Sequence, residues 1–286
     1  MSRSPFLLFL CICLINLGCS QSDEAPIVQE EPDDPAAPAW TLIWEEEFDE
    51  DLSDWNIWEG GAFNNELQHY QGNNLEVREG LLHIHQRRES VTGLEHPFTT
   101  NTKDFDFTSG RIESKTTYGP EDVDGFRELK YLARIKLAPG EGLWPAFWSY
   151  NDPWPTAGEL DVMEFRGSEP TRYQTNFHFG TTTGQLSSNP VQNEGAFESD
   201  LDLTEDYHIF EVEWTRDTFV MRFDSLEVRT YEESTTPFIS DIFGKKHRIV
   251  LNMAVGGDFF NGKGLVESNI PDESTLLIDW VRVYAR

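Results

Sequence analysis

Cysteine is missing from all but the first nineteen residues of this chain, where Cys11, Cys13 and Cys19 are the only three. A domain lying beyond them has no disulfide framework and no thiolate chemistry. Positive charge is scarce as well, with 22 Lys and Arg against 51 Asp and Glu and a formal net charge of −29. Such a chain repels nucleic acid and other polyanions unless basic side chains gather locally. Here they are scattered, so no nucleic-acid partner is expected. Helical periodicity is almost absent, no repeat of fixed period is present, and no Cys/His cluster has metal-ligand spacing. The apolar run Phe6 to Ile15 is too short to span a bilayer.

That run, preceded by Arg3 and followed by Leu17-Gly18-Cys19-Ser20, resembles a bacterial lipoprotein signal with cleavage before Cys19. Residues 1–18 are then the signal peptide, and Cys19 carries the lipid. Because Asn16 stands where a Leu-like residue is usual, a plain secretion signal is the alternative. Residues 19–39 read as a tether, with Pro26, Pro32, Pro35 and Pro38 among six acids from Asp23 to Asp34. Proline and like charges keep such a segment extended. Asp23-Glu24 resembles an export tag, so the expected location is the bacterial envelope, lipid-anchored at the outer membrane and facing outward.

Residues 40–286 are long enough for one large domain and show no second boundary. Tyr131 to Leu137, His208 to Trp214, Phe219 to Phe223 and Leu276 to Tyr284 are rich in β-branched and aromatic residues. Such segments read as strands, and turn chemistry such as Ala138-Pro139-Gly140 separates them. Many short strands of this kind suit an all-β, two-sheet sandwich of jelly-roll type with a concave face for a substrate.

Chemistry concentrates in Glu159-Leu160-Asp161-Val162-Met163-Glu164. On a strand Glu159 and Asp161 share a face, and Glu164 has the opposite parity. A β-bulge at Val162-Met163 would return Glu164 to their side. Two carboxyl groups about 5 to 5.5 Å apart suit a retaining glycosidase. Glu159 would then be the nucleophile and Glu164 the acid/base. Asp161 would hydrogen-bond Glu159 and help keep Glu164 protonated. In so acidic a chain the spacing could also arise by chance on a solvated face.

The flanks narrow the choice. Asn64-Asn65-Glu66-Leu67-Gln68-His69-Tyr70, Leu143 to Trp148, Gly158 to Glu164, His178-Phe179-Gly180, Leu251 to Gly257 and Ile278 to Tyr284 together resemble glycoside hydrolase family 16. Within it the chain is similar to the laminarinase-like endo-β-1,3-glucanases, and the likeness covers nearly all of residues 40–286. It implies the same three catalytic roles and a need for no cofactor in catalysis. It further implies a neutral polysaccharide substrate, β-1,3-glucan (laminarin) or mixed-linkage β-1,3-1,4-glucan, and a monomer. The alternatives are a hydrolase of agar- or carrageenan-type galactan and a noncatalytic glycan-binding surface lipoprotein. A sulfated galactan calls for clustered Arg and Lys, and only Arg166 and Arg172 lie near the catalytic strand.

Sugar rings pack on aromatic faces, which makes Trp144, Trp148 and Trp154 candidate subsite residues, with sandwich core the other reading for Trp148. Asn65, Glu66 and Gln68 are candidates to hydrogen-bond sugar hydroxyls. His178 is placed beside the acid/base or the leaving-group side. The resemblance also implies a structural calcium at Glu47, Gly80 and Asp279. Two stretches depart from the family pattern, Tyr118 to Lys130 and Thr181 to Asp200, and the second reads as a long loop.

Overall fold

A computed structural model describes residues 39–120, 128–187 and 195–286. The expected signal peptide, Cys19, the expected tether up to Pro38 and the middle of both departing stretches lie outside the described residues. Two sheets stack face to face. The ten-stranded sheet runs in the order Leu226–Glu232, Thr218–Phe223, His208–Trp214, Leu129–Lys136, Glu273–Ala285, Leu81–Arg87, Phe107–Ser109, Gln68–Tyr70. Thr41–Glu46 joins it beside Glu273–Ala285, and Leu75–Arg78 beside Leu81–Arg87. The seven-stranded sheet runs Gly195–Glu198, Arg172–His178, Glu159–Phe165, Leu143–Tyr150, Arg248–Val255, Arg111–Ser114, Trp55–Ile57. The hairpin Val91–Leu94 with Thr102–Phe105 stands apart from both.

Alternation along each strand explains the sandwich. In His208–Trp214, Phe210, Val212 and Trp214 point inward and are buried. Glu211 and Glu213 point outward, where Arg222 reaches both at 3.3 and 3.0 Å. Phe147, Leu160, Phe165, Tyr173 and Phe177 of the seven-stranded sheet meet Tyr131, Phe210, Val212, Ile278 and Val283 of the other in one core. Each large apolar side chain withdrawn from water contributes about 1.5–3 kcal/mol. The expected all-β sandwich is the observed fold. The described α-helix is a single turn, Ile239–Ile242.

The four strands expected from composition all fall on observed strands, with ends displaced by a few residues. The loop expected over Thr181 to Asp200 needs correction. Its end, Gly195–Glu198, is an edge strand antiparallel to Arg172–His178, pairing Gly195 with Thr175 and Phe197 with Tyr173. Phe197 packs against Tyr173 and Phe223, so a single aromatic in a polar sequence closes that edge of the core.

Candidate active site

Val162 and Met163 both turn into the core and are essentially inaccessible. Across the catalytic strand Asp161 pairs with Asn176 but Glu164 with Gln174, so two residues stand against the single Thr175. On the other side Met163 pairs with Phe147 and Asp161 with Trp148, which again leaves Val162 over. This is the expected bulge, and it places Glu159, Asp161 and Glu164 on the open face of the seven-stranded sheet. Register puts Trp144, Trp148, Tyr150, Asn176, His178, Asn252, Arg111 and Glu113 on the same face.

Each carboxylate has its own partner. Trp154 Nε1 donates to Glu159 Oε2 at 2.8 Å. His178 Nε2 lies 3.2 Å from Asp161 Oδ2 and 3.9 Å from Glu159 Oε1. Asn176 Nδ2 donates to Glu164 Oε2 at 3.3 Å. The hydrogen bond expected from Asp161 to Glu159 is replaced by the imidazole between them. His178, expected beside the acid/base or leaving group, faces Asp161 and Glu159 instead.

Burial raises the Glu159 carboxyl above the usual range of 4.5, and the Asp161 charge adds to it; His178 and the Trp154 N–H pull the other way. Burial also raises Glu164, and the charges of Asp161 and Glu159 push it further. Burial alone would lower His178, but hydrogen bonding to Asp161 and the three carboxylate charges outweigh it and carry the ring up to about 10. The ionised form of Glu159 thus has a ring N–H and a nearby cation. Glu164 has one longer amide hydrogen bond, and the same cation acts on it against two negative neighbours. One carboxyl is favoured as carboxylate and the other as acid, the division of labour that acid/base chemistry on a single substrate requires.

Trp148, whose placement the sequence left open between subsite and core, lies on the open face, its Nε1 donating to Asn252 Oδ1 at 2.7 Å. Asn252 Nδ2 donates to Tyr70 Oη at 3.1 Å, and Tyr70 Oη donates to Glu66 Oε2 at 3.1 Å. Gln68 is fully buried, with Nε2 on Glu66 at 2.7 Å and Oε1 accepting from the Val255 N–H at 2.7 Å. Gln68 therefore braces the face from below and does not offer itself to a sugar. Glu66 is nearly buried with one oxygen committed to this network. Asn65 is exposed, its Nδ2 at 3.0 and 3.1 Å from the two oxygens of Asp258. Trp144 stacks on Phe259, ring centres 4.4 Å apart. The Asn64–Leu67 segment can lie against the end of the Arg248–Val255 strand because residue 257 is glycine. A Cβ there would sit 2.7 Å from the Asn64 carbonyl.

Sequence reasoning missed Asn176, Arg111, Glu113 and Tyr150. Arg111 is buried, bonds Glu113 Oε1 at 2.6 Å and lies 4.0 Å over the Trp58 ring. Strand parity across paired neighbours would have found all four once the register was known. The calcium expectation does not fit. Asp279, its one side-chain carboxylate, is ion-paired with Arg134. With that carboxylate taken up by Arg134, the set offers a calcium ion only neutral carbonyl oxygens.

The chain matches glycosyl hydrolases family 16 over residues 64–282. It is 31% identical over 296 residues to glucan endo-1,3-beta-glucosidase A1 of Niallia circulans, covering 92% of this chain and 40% of the length of that protein. It is 30% identical over 311 residues to a beta-glucanase of Rhodothermus marinus, covering 99% of this chain and 94% of the other. Among solved structures it superposes on an endo-beta-1,3-glucanase from Pyrococcus furiosus with a TM-score of 0.72 and 30% identity, over 86% of this chain and 94% of that one.

Trp154→Phe keeps the ring and removes the N–H. A hydrogen bond to a charged group contributes about 1.5–3 kcal/mol, and one pKa unit is about 1.4 kcal/mol. The Glu159 carboxyl should therefore titrate about 1–2 units higher in the variant, read by carboxyl ¹³C NMR; an unmoved or lowered titration contradicts the assignment.

Proposed function

The chain belongs to glycosyl hydrolases family 16, and from that premise we propose that it is a retaining endo-glycosidase of β-1,3-glucan (laminarin) or mixed-linkage β-1,3-1,4-glucan. The observation that carries this reading is the unequal surroundings of Glu159 and Glu164 on one face. Glu159 attacks the anomeric carbon while Glu164 gives its proton to the departing glycosidic oxygen, leaving a glycosyl ester on Glu159. Water then enters, Glu164 takes its proton, and the new C–O bond releases the Glu159 carboxylate. Asp161 acts on both steps through charge, and through its hold on the His178 cation.

Asn176 can serve Glu164 in both states. Its Nδ2 donates to the carboxylate, and its Oδ1 is buried without a partner, ready to accept from the protonated acid if the amide turns over. Trp144 and Trp148 offer apolar surface for sugar rings along the same face, while Trp154 is spent on orienting the nucleophile.

A neutral substrate is supported by the bookkeeping of cations. Arg111 and Arg248 both serve Glu113, Arg248 also reaches Asp152, and Arg166 grips the Phe259 carbonyl and Gln174. None stands as a free sulfate ligand, which argues against a sulfated galactan. A purely glycan-binding protein would have no use for a buried pair of differentiated carboxyls. We further place the protein at the bacterial outer membrane as a monomer, held by lipid on Cys19 with residues 19–39 as an extended spacer.

The reading is tested by products and anomeric configuration on laminarin, barley mixed-linkage glucan, agarose and carrageenan. Oligosaccharides from laminarin released first as the β-anomer are expected; first release of the α-anomer overturns retention, and cleavage of a galactan alone overturns the substrate class. Activity requires Glu159 ionised and Glu164 protonated, so kcat/KM falls as pH drops through the first and as it rises through the second. Because burial raises both, both limbs should lie above the ordinary carboxylate range. Glu164→Gln should lose about 10²–10⁴-fold in rate and its basic limb. Cys19→Ala should move the chain from membrane to soluble fraction, and continued membrane retention would exclude the anchor.

A further inference from the structure

On the outer face of the ten-stranded sheet, across the sandwich from Glu159, three metal-binding side chains converge. The strands Leu75–Arg78 and Leu81–Arg87 form a hairpin closed by Glu79 and Gly80, both in the left-handed region at φ 58° and 71°. That tight turn sets the register that puts Glu76 directly opposite His83. Leu82 and Ile84 enter the core, so His83 and His85 both face outward on the side of Glu76. Nitrogen or oxygen atoms of all three lie within 4.8 Å of one another. His85 Nε2 and Glu76 Oε2 are 3.4 Å apart. Two ligands about 2.0–2.1 Å from a tetrahedral ion are separated by about 3.3 Å.

The second observation is an orphan. His83 is 7% exposed, and its Nε2 is buried with no hydrogen-bond partner. A buried polar atom left unpaired costs roughly 1–3 kcal/mol, so one that lies beside another imidazole and a carboxylate calls for an explanation. The remaining contacts supply it. The backbone of Arg78 bonds the His83 ring. Since Nε2 has no partner, that bond belongs to Nδ1, which leaves a lone pair on Nε2. His85 Nδ1 is 2.9 Å from Thr275 Oγ1, again leaving Nε2 toward Glu76. Arg78 approaches the other oxygen of Glu76, Oε1, at 3.5 Å. Outer partners of this kind, one on each ligand, are what fix tautomer and orientation around a bound metal.

We propose that Glu76, His83 and His85 form a binding site for a zinc-class divalent cation, with water from the exposed Glu76 side completing the shell. Two imidazoles and one carboxylate suit zinc and its transition-metal neighbours, and disfavour calcium and magnesium, which take oxygen ligands. The site is distinct from the calcium set at Glu47, Gly80 and Asp279. It escaped sequence inspection because His83 and His85 alone make no ligand set, and the third member comes from across the turn. A cation bound there ties the two strands of the hairpin together, so its effect falls on stability and leaves the opposite face alone.

Zinc chloride titrated into the metal-stripped full chain, followed by calorimetry and thermal melting, is the test. The Glu159, Asp161 and His178 cluster also presents ligand atoms, so His178→Asn is measured alongside. The expected result is one zinc per chain with a rise in Tm, kept in His178→Asn and lost in His83→Ala and His85→Ala. Glu76→Gln alters an exposed side chain that the fold does not need. It should melt like the parent in chelator and bind zinc at least about tenfold more weakly, the least that even an outer partner costs. No zinc uptake, uptake lost only in His178→Asn, or uptake unchanged in Glu76→Gln and His85→Ala would each overturn the proposal.

Discussion

Parity is the constraint on which the rest of this molecule depends. A strand must send alternate side chains to opposite faces, and the catalytic strand has to fill a core with Leu160, Val162, Met163 and Phe165 while presenting Glu159, Asp161 and Glu164 to a substrate. Strict alternation cannot do both. Left unbulged, it would send Glu164 into the apolar core, where an unpaired carboxylate is costlier than most single interactions can offset. The bulge resolves the conflict by spending two adjacent apolar residues on the core. Packing behind the sheet holds it there, since Met163 faces Phe147 with no room to slip.

Once the three acids share a face, electrostatics orders them. They lie within one buried cluster that His178 and, at Glu159, Arg111 offset only in part, so the cluster favours taking up a proton, and the question is where it settles. His178 acts on both carboxyls, but the Trp154 N–H bonds Glu159 at 2.8 Å and the Asn176 amide bonds Glu164 at 3.3 Å, so the ionised form of Glu159 is the better held and the proton settles on Glu164. Raised carboxyl pKa values also carry a stability cost. Each group contributes most below its unfolded value and loses that contribution as pH rises through its folded value. The fold therefore tolerates the site at neutral pH on the strength of the surrounding core.

The sandwich and the bulge were legible in the sequence because each follows from local alternation and composition. So were the three acids, since Val162-Met163 breaks the pattern at a visible place. What was hidden depends on register between strands. Asn176 serves Glu164 because Arg172–His178 pairs one residue out of step past the bulge, and no reading of that strand alone yields it. Gln68 looked like a sugar ligand for want of its partner, the Val255 N–H 187 residues away. The calcium set matched by position, yet Arg134, carried on another strand, takes its Asp279 carboxylate. Edge strand Gly195–Glu198 was lost among polar neighbours because one phenylalanine carries its burial.

The same register logic connects the two outer faces. On the open face of the seven-stranded sheet, antiparallel pairing lines up Asn252, Trp148 and Asp161, and Tyr70 of the other sheet joins through Asn252, so a chain of neutral contacts from Tyr70 to Trp148 runs up to the charged cluster of Glu159, Asp161, Glu164 and His178. Neutral donors and acceptors along that stretch can exchange water for sugar hydroxyls at little electrostatic cost, whereas charged groups would hold their water. On the ten-stranded sheet the outward positions are instead Glu211, Glu213, Arg222 and Arg286, laced into ion pairs at 2.9 to 3.3 Å. Ion pairs thus stud the ten-stranded face, while on the substrate face charge is gathered in the catalytic cluster and in the Arg111, Glu113 and Arg248 group. Alternation along the strands, broken at the bulge of the catalytic strand, assigns the outward residues to one face or the other.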